Sequence, residues 1–274
     1  MANQINIDIF YKTMSLLKKD NDLLRDTTES IRKQKIYLEN DLVNISKTNS
    51  NINLKVIVSK NKTLSAAKRY NGKIAILNFA SSTNPGGGVT KGSSAQEECI
   101  CRCTNLYPCL EKAIKDFYMP HRGINNPLYN DDIIYTPDVW VVRDDNNEFI
   151  LLRKNERFQV DVITCAAPNL RSKPSNYMNP NAGNKPASIT NDELLELLKK
   201  RISRIFEVAI DNKVDTLILG AFGCGAFCNP PYIVAKAFKS CIDKYKEYFE
   251  NIEFAVYCPP GKEENYKTFY KMFG

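Results

Sequence analysis

Short apolar runs recur through most of this chain, and helical patterns lie between them. Such runs are typical of strands that are buried on both faces. The clearest helical pattern covers Asn191 to Asn212 and opens with Thr190 and Glu193 at the spacing of a capping box. Strands that alternate with helices predict an α/β sandwich around a mixed sheet. The predicted strands are Leu54 to Val58, Ile74 to Phe79, Val139 to Val142, Val160 to Ala166, Thr216 to Leu219 and Phe254 to Tyr257.

Two segments differ from this alternation. Residues 5–46 carry apolar side chains at helical spacing, and the polar stretch Thr48 to Asn53 closes them off. We therefore divide the chain into an N-terminal helical extension, residues 1–53, that packs on a core of residues 54–274, itself a single structural unit. The stretch Pro168 to Ser188 is too long for an ordinary connection and predicts a mobile loop near the site.

The cysteines and the histidine restrict the possible chemistry. The chain has nine cysteines and one histidine in 274 residues. A chain of this length buries roughly three quarters of its unfolded surface, so its fold needs no disulfide or metal. Cys99, Cys101 and Cys103 are spaced CxCxC rather than CxxC, and His121 lies near no nucleophile motif. We expect reduced thiols, no metal and no cofactor, so that any catalysis must use carboxylates.

Hydropathy argues against a membrane protein. No run approaches the ~18 consecutive apolar residues of a membrane-spanning helix. Residues 1–20 lack the basic and apolar regions of a signal peptide. We expect a cytoplasmic protein without membrane contact.

Positive charge is concentrated in one segment of the chain. The net charge is +7, and the segment from Leu42 to Gln96 has no Asp or Glu but eight Lys and Arg residues. Such a segment either forms a solvated face or attracts phosphate. A basic nucleic-acid-binding protein is a weaker third reading, because aromatic and basic residues do not alternate as in an RNA-recognition sheet.

Two predicted strands end in glycine-rich loops. The first loop is Asn84-Pro85-Gly86-Gly87-Gly88, and the second runs from Gly220 to Pro231 and includes Gly223 and Gly225. Ligands of open α/β sheets bind at such junctions. Glycines let the backbone approach an anion, and a helix that begins at Pro230 or Pro231 suits a diphosphate. Two such loops in one domain favour a phosphate-bearing ligand.

Two adjacent carboxylates follow the first loop. Ser94 and Glu97 have capping-box spacing, which predicts a helix from Ala95 and a capping role for Glu97. Glu98 lies about 100° further round that helix, where capping does not explain it. A carboxylate beside an anion-binding loop suggests an acid/base group placed against a phosphorylated substrate.

The order Asn84-Pro85-Gly86-Gly87-Gly88, seven intervening residues and Gln96-Glu97-Glu98 resembles the signature of poly(ADP-ribose) glycohydrolases. The surrounding sequence, including Cys-Arg-Cys-Thr-Asn-Leu-Tyr after the glutamates and Ala166-Ala-Pro-Asn, is similar to the bacterial (microbial) type. The resemblance covers nearly the whole chain and is weakest before Leu54. It implies a three-layer α/β/α macrodomain with added N-terminal helices that binds ADP-ribose without metal.

The resemblance also implies roles for individual residues. Glu98 corresponds to the catalytic glutamate, and Glu97 helps to hold the substrate. Asn84 would contact the distal ribose, close to Gln96 of the signature. The backbone at Gly86, Gly87 and Gly88 would lie near that ribose and the diphosphate. The second loop would bind phosphate through Gly223, Cys224, Gly225, Ala226 and Phe227, with Phe227 packing over the ligand.

The expected activity is hydrolysis of the O-glycosidic ribose–ribose bonds of ADP-ribose polymers, with release of ADP-ribose. Two alternatives stay open: a macrodomain that binds ADP-ribose without cleaving it, and a hydrolase of mono-ADP-ribose on protein or nucleic acid. The expected partners are ADP-ribose and poly(ADP-ribose) on modified proteins. Nucleic acid is expected only as an ADP-ribosylated substrate, and the protein is expected to be a monomer.

Overall fold

The structure is a computed structural model that describes residues 3–43, 45, 52–124, 126–146, 148–177, 180, 183–259 and 261–274. Its strands are β1 (Lys35–Tyr37), β2 (Lys55–Ser59), β3 (Ile74–Phe79), β4 (Ile133–Val141), β5 (Phe158–Cys165), β6 (Thr216–Leu219) and β7 (Asn251–Ala255). Its α-helices are α1 (Gln4–Lys19), α2 (Asn21–Lys33), α3 (Thr63–Ala67), α4 (Gln96–Cys103), α5 (Leu106–Lys112), α6 (Met119–Ile124), α7 (Asn191–Asp211), α8 (Pro231–Tyr245) and α9 (Glu264–Phe273).

Within these residues, seven strands form one mixed sheet in the order β1-β4-β5-β3-β6-β7-β2. β4 is antiparallel to β1 and to β5, and the other neighbours are parallel. The predicted mixed sheet is therefore confirmed.

Helices cover both faces of the sheet, which gives three layers. Alternate residues of β3 point to opposite faces. Ala75 and Leu77 belong to a buried apolar cluster with α7 and α8, whereas Ile74 and Ile76 belong to a second cluster with α1, α3 and α4. The predicted α/β/α architecture is confirmed, and it is consistent with a macrodomain. No helix of the described residues is long and apolar enough to cross a membrane.

Helix boundaries agree with the capping signals in the second half of the chain. Thr190 caps α7, where its Oγ1 accepts from the N–H of Glu193 at 3.3 Å and its own N–H donates to the Glu193 carboxylate at 2.8 Å. α8 begins at Pro231, as proposed for that proline.

The continuous helical pattern predicted for residues 5–46 is wrong beyond Lys33. The chain turns at Gln34, whose side chain donates to Thr136 Oγ1 at 2.8 Å, and Lys35–Tyr37 then pairs with β4. The exposed edge of β4 offers backbone partners to this segment, and strand pairing overrides the helical spacing. Residues 46–51, and with them most of the polar stretch from Thr48 to Asn53, lie outside the described residues.

The N-terminal helices pack closely on the rest of the chain. Phe10, Leu17 and Leu23 are at most 4% exposed. The extension also contributes β1 to the sheet. The division at residue 53 stays a prediction. The described part of Pro168 to Ser188 holds no helix or strand element, and residues 178–179 and 181–182 lie outside the description.

Candidate functional site

The two glycine-rich loops meet at one edge of the sheet. β3 leads into the first loop and β6 into the second, and the two strands are parallel neighbours. Parallel neighbours end at the same edge of a sheet, where open α/β folds bind ligands. The fold therefore brings together two loops that lie far apart in the sequence.

Gly87 lies against both glutamates. Gly86 and Gly87 have φ values of +64° and +58°, a region that favours glycine. Gly88 has an ordinary φ of −101°. A Cβ on Gly87 would lie 2.6 Å from Glu98 Oε1 and 2.9 Å from Glu97 Oε2. The backbone of the first loop can approach the two carboxylates this closely only because Gly87 has no side chain.

Glu98 reaches from α4 toward the first loop. Its Oε1 accepts a hydrogen bond of 2.9 Å from the backbone N–H of Gly88. The residue is 8% exposed, and its Oε2 has no hydrogen-bond partner among the described residues. Leaving a buried oxygen without a donor is costly. The described residues thus leave this oxygen without a donor at the edge of the first loop.

The capping role predicted for Glu97 is wrong. The N-cap residue of α4 is Ala95 and makes no side-chain cap, so the helix begins one residue too late for a Ser94–Glu97 box. The Glu97 carboxylate instead turns inward and accepts from the N–H of Ser81 at 2.7 Å, with Asn78 Nδ2 at 3.5 Å. Burial, and secondarily the charge of Glu98, raise the pKa of Glu97 well above its ordinary value.

Asn84 and Gln96 shape the first loop and its junction with α4. The carbonyl of Asn84 accepts from the N–H of Gly87 at 3.0 Å, which closes the turn. Gln96 Oε1 accepts from the N–H of Phe79 at 2.8 Å, and its Nε2 donates to the Leu77 carbonyl at 2.7 Å. Gln96 thus ties the start of α4 to the end of β3. Contact of either side chain with substrate stays a prediction.

The second loop exposes a row of backbone donors. The N–H groups of Gly225, Ala226 and Phe227 donate to no acceptor among the described residues. Gly225 and Ala226 are exposed, and Cys224 and Phe227 are half-buried. Successive free N–H groups in a turn form a nest that suits an anion. Phosphate binding by this loop stays a prediction.

Asn229, which the sequence did not single out, holds the second loop in place. It is 2% exposed, and its Nδ2 donates to the carbonyls of Pro168 at 2.7 Å and Gly223 at 3.1 Å. Gly223 has a φ of +73°, and a Cβ there would lie 2.5 Å from Asn229 Nδ2. An asparagine immediately before Pro230-Pro231 was the available signal, because Asn commonly forms such side-chain to backbone bonds.

A cavity of about 630 Å³ opens beside the second loop, and neither the first loop nor Glu98 belongs to its lining. Gly225 and Phe227 of the second loop line one part of it, with Tyr257 after β7. Gln96 and Arg102 of α4 line another part, which extends to α1. Tyr257 is the last residue of the predicted strand Phe254 to Tyr257, so its position at a strand end was the signal that could have marked it.

His121 is a buried side chain that contacts a local backbone group. His121 is 3% exposed, and its Nδ1 lies 2.6 Å from the Phe117 carbonyl. Among the described residues, no group of three or more His, Cys, Asp or Glu side chains is arranged to hold a metal ion.

Comparison with known proteins gives one family and several solved structures. The family "Microbial-type PARG, catalytic domain" matches residues 6–144. No curated protein matches the chain.

The solved structures match over nearly the full length. Poly(ADP-ribose) glycohydrolase from Thermomonospora curvata is 26% identical with a TM-score of 0.85, covering 99% of this chain and 100% of that chain. The same enzyme bound to the inhibitor ADP-HPD has 26% identity, the same coverage and a TM-score of 0.81. Poly(ADP-ribose) glycohydrolase from Deinococcus radiodurans in complex with ADP-ribose is 27% identical with a TM-score of 0.75, covering 90% of this chain and 96% of that chain.

Proposed function

Because this chain belongs to the microbial-type PARG family, we infer that it is a poly(ADP-ribose) glycohydrolase. It hydrolyses the O-glycosidic ribose–ribose bonds of ADP-ribose polymers and releases ADP-ribose. One observation within the site carries the inference furthest. Glu98 is held by the Gly88 N–H at the edge of the glycine loop and keeps one carboxylate oxygen without a protein donor.

The two loops divide the binding of ADP-ribose between them. The free N–H groups of Gly225, Ala226 and Phe227 suit the diphosphate, since oriented backbone dipoles favour negative charge. The distal ribose then lies toward Asn84 and the first loop, next to Glu98. The complex of the Deinococcus radiodurans relative with ADP-ribose supports this class of ligand.

Glu98 serves as both acid and base in the reaction. As an acid it protonates the leaving 2′-oxygen while oxocarbenium character develops at the anomeric carbon. The resulting carboxylate then deprotonates the attacking water, which the substrate phosphate helps to position. Each bond that breaks is replaced by one to a proton or to water, so the step needs no oxidant or cofactor.

Glu97 has a different task from its neighbour. Burial raises the pKa of Glu97, which favours its neutral acid form. Its contact with the Ser81 N–H braces the strand-to-loop junction. Glu97 therefore positions the first loop while Glu98 carries the proton.

Incubation with automodified poly(ADP-ribosyl)ated protein tests the function, with free ADP-ribose as the readout and EDTA-treated enzyme included. We expect hydrolysis without added metal. Glu98→Gln keeps the shape but removes proton transfer, and should lower the rate by roughly 10² to 10⁴-fold. Calorimetry should show ADP-ribose affinity within about tenfold of wild type, because backbone groups carry the ground-state binding. Binding without hydrolysis by wild type would instead identify a non-catalytic ADP-ribose-binding protein.

A further inference from the structure

A buried guanidinium lines the part of the cavity that extends to α1. Arg102 is 1% exposed and lines the cavity. Its Nη1 donates to the Ser93 carbonyl at 2.6 Å, and its Cζ lies 5.1 Å from the centroid of the Phe149 ring. Its Nε has no hydrogen-bond partner, and within the described residues its Nη2 forms no hydrogen bond and the guanidinium no ion pair.

Arg102 forms no ion pair with Asp145, the acid among the described residues that line the cavity. Asp145 also lines the cavity, but its oxygens accept from the N–H of Leu64 at 2.7 Å and from the N–H of Ser65 at 3.2 Å. Asp145 therefore serves as a cap for α3. A buried cation without a close counter-ion is expensive, because the protein interior does not replace its hydration.

A second cation faces the same aromatic ring. Lys62 Nζ lies 6.0 Å from the centroid of the Phe149 ring and 5.0 Å from that of Tyr257. Lys62 also lines the cavity. Among the described residues that line the cavity, Arg102 and Lys62 are the cations and Asp145 is the acid.

We propose that Arg102 and Lys62 form a phosphate-binding subsite, separate from the backbone nest of the second loop. The planar guanidinium offers parallel N–H donors that match phosphate oxygens, and phosphate supplies the missing counter-charge. The phosphate comes either from a neighbouring unit of the polymer or from free phosphate. The first source rests on the proposed function, and the second does not.

Thermal unfolding in phosphate and in sodium chloride of equal ionic strength and pH tests the subsite. Inorganic phosphate should raise the Tm of wild type above that in chloride, because a ligand of the folded state stabilises it. Arg102→Met and Lys62→Met should each reduce this rise to the part that the backbone nest of the second loop contributes, while Arg102→Lys keeps more of it. Lys239→Met removes one charge from an exposed ion pair with Asp243 on α8 and should keep the full rise.

Polymer kinetics distinguish the two sources. If a neighbouring polymer unit occupies the subsite, Lys62→Met and Arg102→Lys should raise the KM for polymer about tenfold, as expected for a lost charge-assisted contact. The Kd for ADP-ribose should change far less. If free phosphate is the ligand, only the phosphate-dependent Tm rise is reduced and KM stays the same.

The proposal is overturned if phosphate stabilises wild type no more than chloride does and neither variant changes the polymer KM. Lys62→Met carries the test if Arg102→Met does not fold, since Lys62 is only partly buried. If phosphate stabilises the wild-type protein but the protein hydrolyses no polymer, the phosphate subsite is supported and the glycohydrolase assignment is rejected.

Discussion

At the residue scale, the first glycine-rich loop and the two glutamates pack together as one structural unit. Gly87 has no side chain where a Cβ would meet both carboxylates, and Gly88 donates to one of them. The loop backbone therefore fixes the distance between the first loop, which we propose binds ribose, and Glu98, which we propose transfers the proton. A displacement of about 1 Å at such a site can cost roughly a hundredfold in rate.

Gly87→Ala should therefore lower polymer hydrolysis by about a hundredfold, because the added Cβ pushes the loop away from Glu98. Steady-state kinetics on polymer measure this. Gly261→Ala is the matched control, since Gly261 also has a positive φ, +79°, but nothing lies within 4 Å of its Cβ position. Similar losses of activity in both variants would assign the effect to backbone strain and contradict a steric role for Gly87.

Glu97 should make the folded state less stable as the pH rises. Its pKa is raised above the ordinary 4.5 by burial and by the charge of Glu98. Above that pH the folded chain holds a proton that the unfolded chain has lost, so the free energy of unfolding falls with rising pH until the folded-state pKa is passed. Cys101 and Tyr118, which also face Glu97, have raised pKa values and stay neutral across this range.

Glu97→Gln should consequently reduce the loss of stability between a pH near 4.5 and neutrality. Guanidinium unfolding at several pH values measures it. Glu193→Gln provides a control of opposite sign, because hydrogen bonds from Thr190 lower the pKa of Glu193, and its contribution is present above the unfolded pKa and lost on acidification. An unchanged pH profile for Glu97→Gln would show that the carboxyl titrates normally.

At the element scale, α1 contacts the segment that joins the first loop to α4. Asn6 Nδ2 donates to the Gly92 carbonyl at 3.1 Å, and a Cβ on Gly92 would lie 2.6 Å from the Asn3 carbonyl oxygen. Phe10 packs edge-on against Tyr107 at 4.9 Å, and a Cβ on Gly86 would lie 2.8 Å from the Tyr107 ring. The N-terminal helix thus contacts both this segment and a side chain that limits the first loop.

Asn6→Ala should lower kcat on polymer by about tenfold, because the segment between the first loop and α4 loses the donor that fixes Gly92. Asn6→Asp should do at least as much harm, since a carboxylate cannot donate to the carbonyl. Gln4→Ala on the exposed face of the same helix is the control. If Asn6→Ala has the kcat and the Tm of wild type, the contact of α1 with Gly92 does not affect catalysis.

Helices and strands were predicted correctly where a capping or hydropathy pattern favoured the same structure as the packing of the folded chain. The Thr190–Glu193 box begins α7, and the apolar run Ile74 to Phe79 is β3. The prediction failed where a hydrogen-bond partner distant in sequence determined the local structure. Lys35–Tyr37 is a strand because β4 has a free edge, and Glu97 leaves its expected cap because the Ser81 N–H offers a buried partner.

At the scale of the whole molecule, strand order produces the site. Periodicity identifies the strand before each glycine loop, but only the neighbouring positions of β3 and β6 place the loops together. The spacing of the glycines and glutamates predicted only a phosphate-bearing ligand. The resemblance of these motifs to those of poly(ADP-ribose) glycohydrolases predicted ADP-ribose as the substrate class. Asn229 contacts Pro168, 61 residues away, and Arg102 packs against the ring of Phe149, so segments distant in sequence set the surroundings of both side chains.

The sheet also joins the N-terminal extension to the core, and the only tryptophan of the chain reports on that junction. Trp140 Nε1 donates to Asp26 of α2 at 2.9 Å, and the Trp140 ring packs against a cluster that contains Leu17, Leu23 and Val142. Because β1 and the buried faces of α1 and α2 belong to the same packed structure, we expect one cooperative unfolding transition. Tryptophan fluorescence and far-UV circular dichroism in guanidinium should therefore give coincident midpoints. A fluorescence transition at lower denaturant would show instead that the extension detaches first, as a separate unit with its boundary near residue 53.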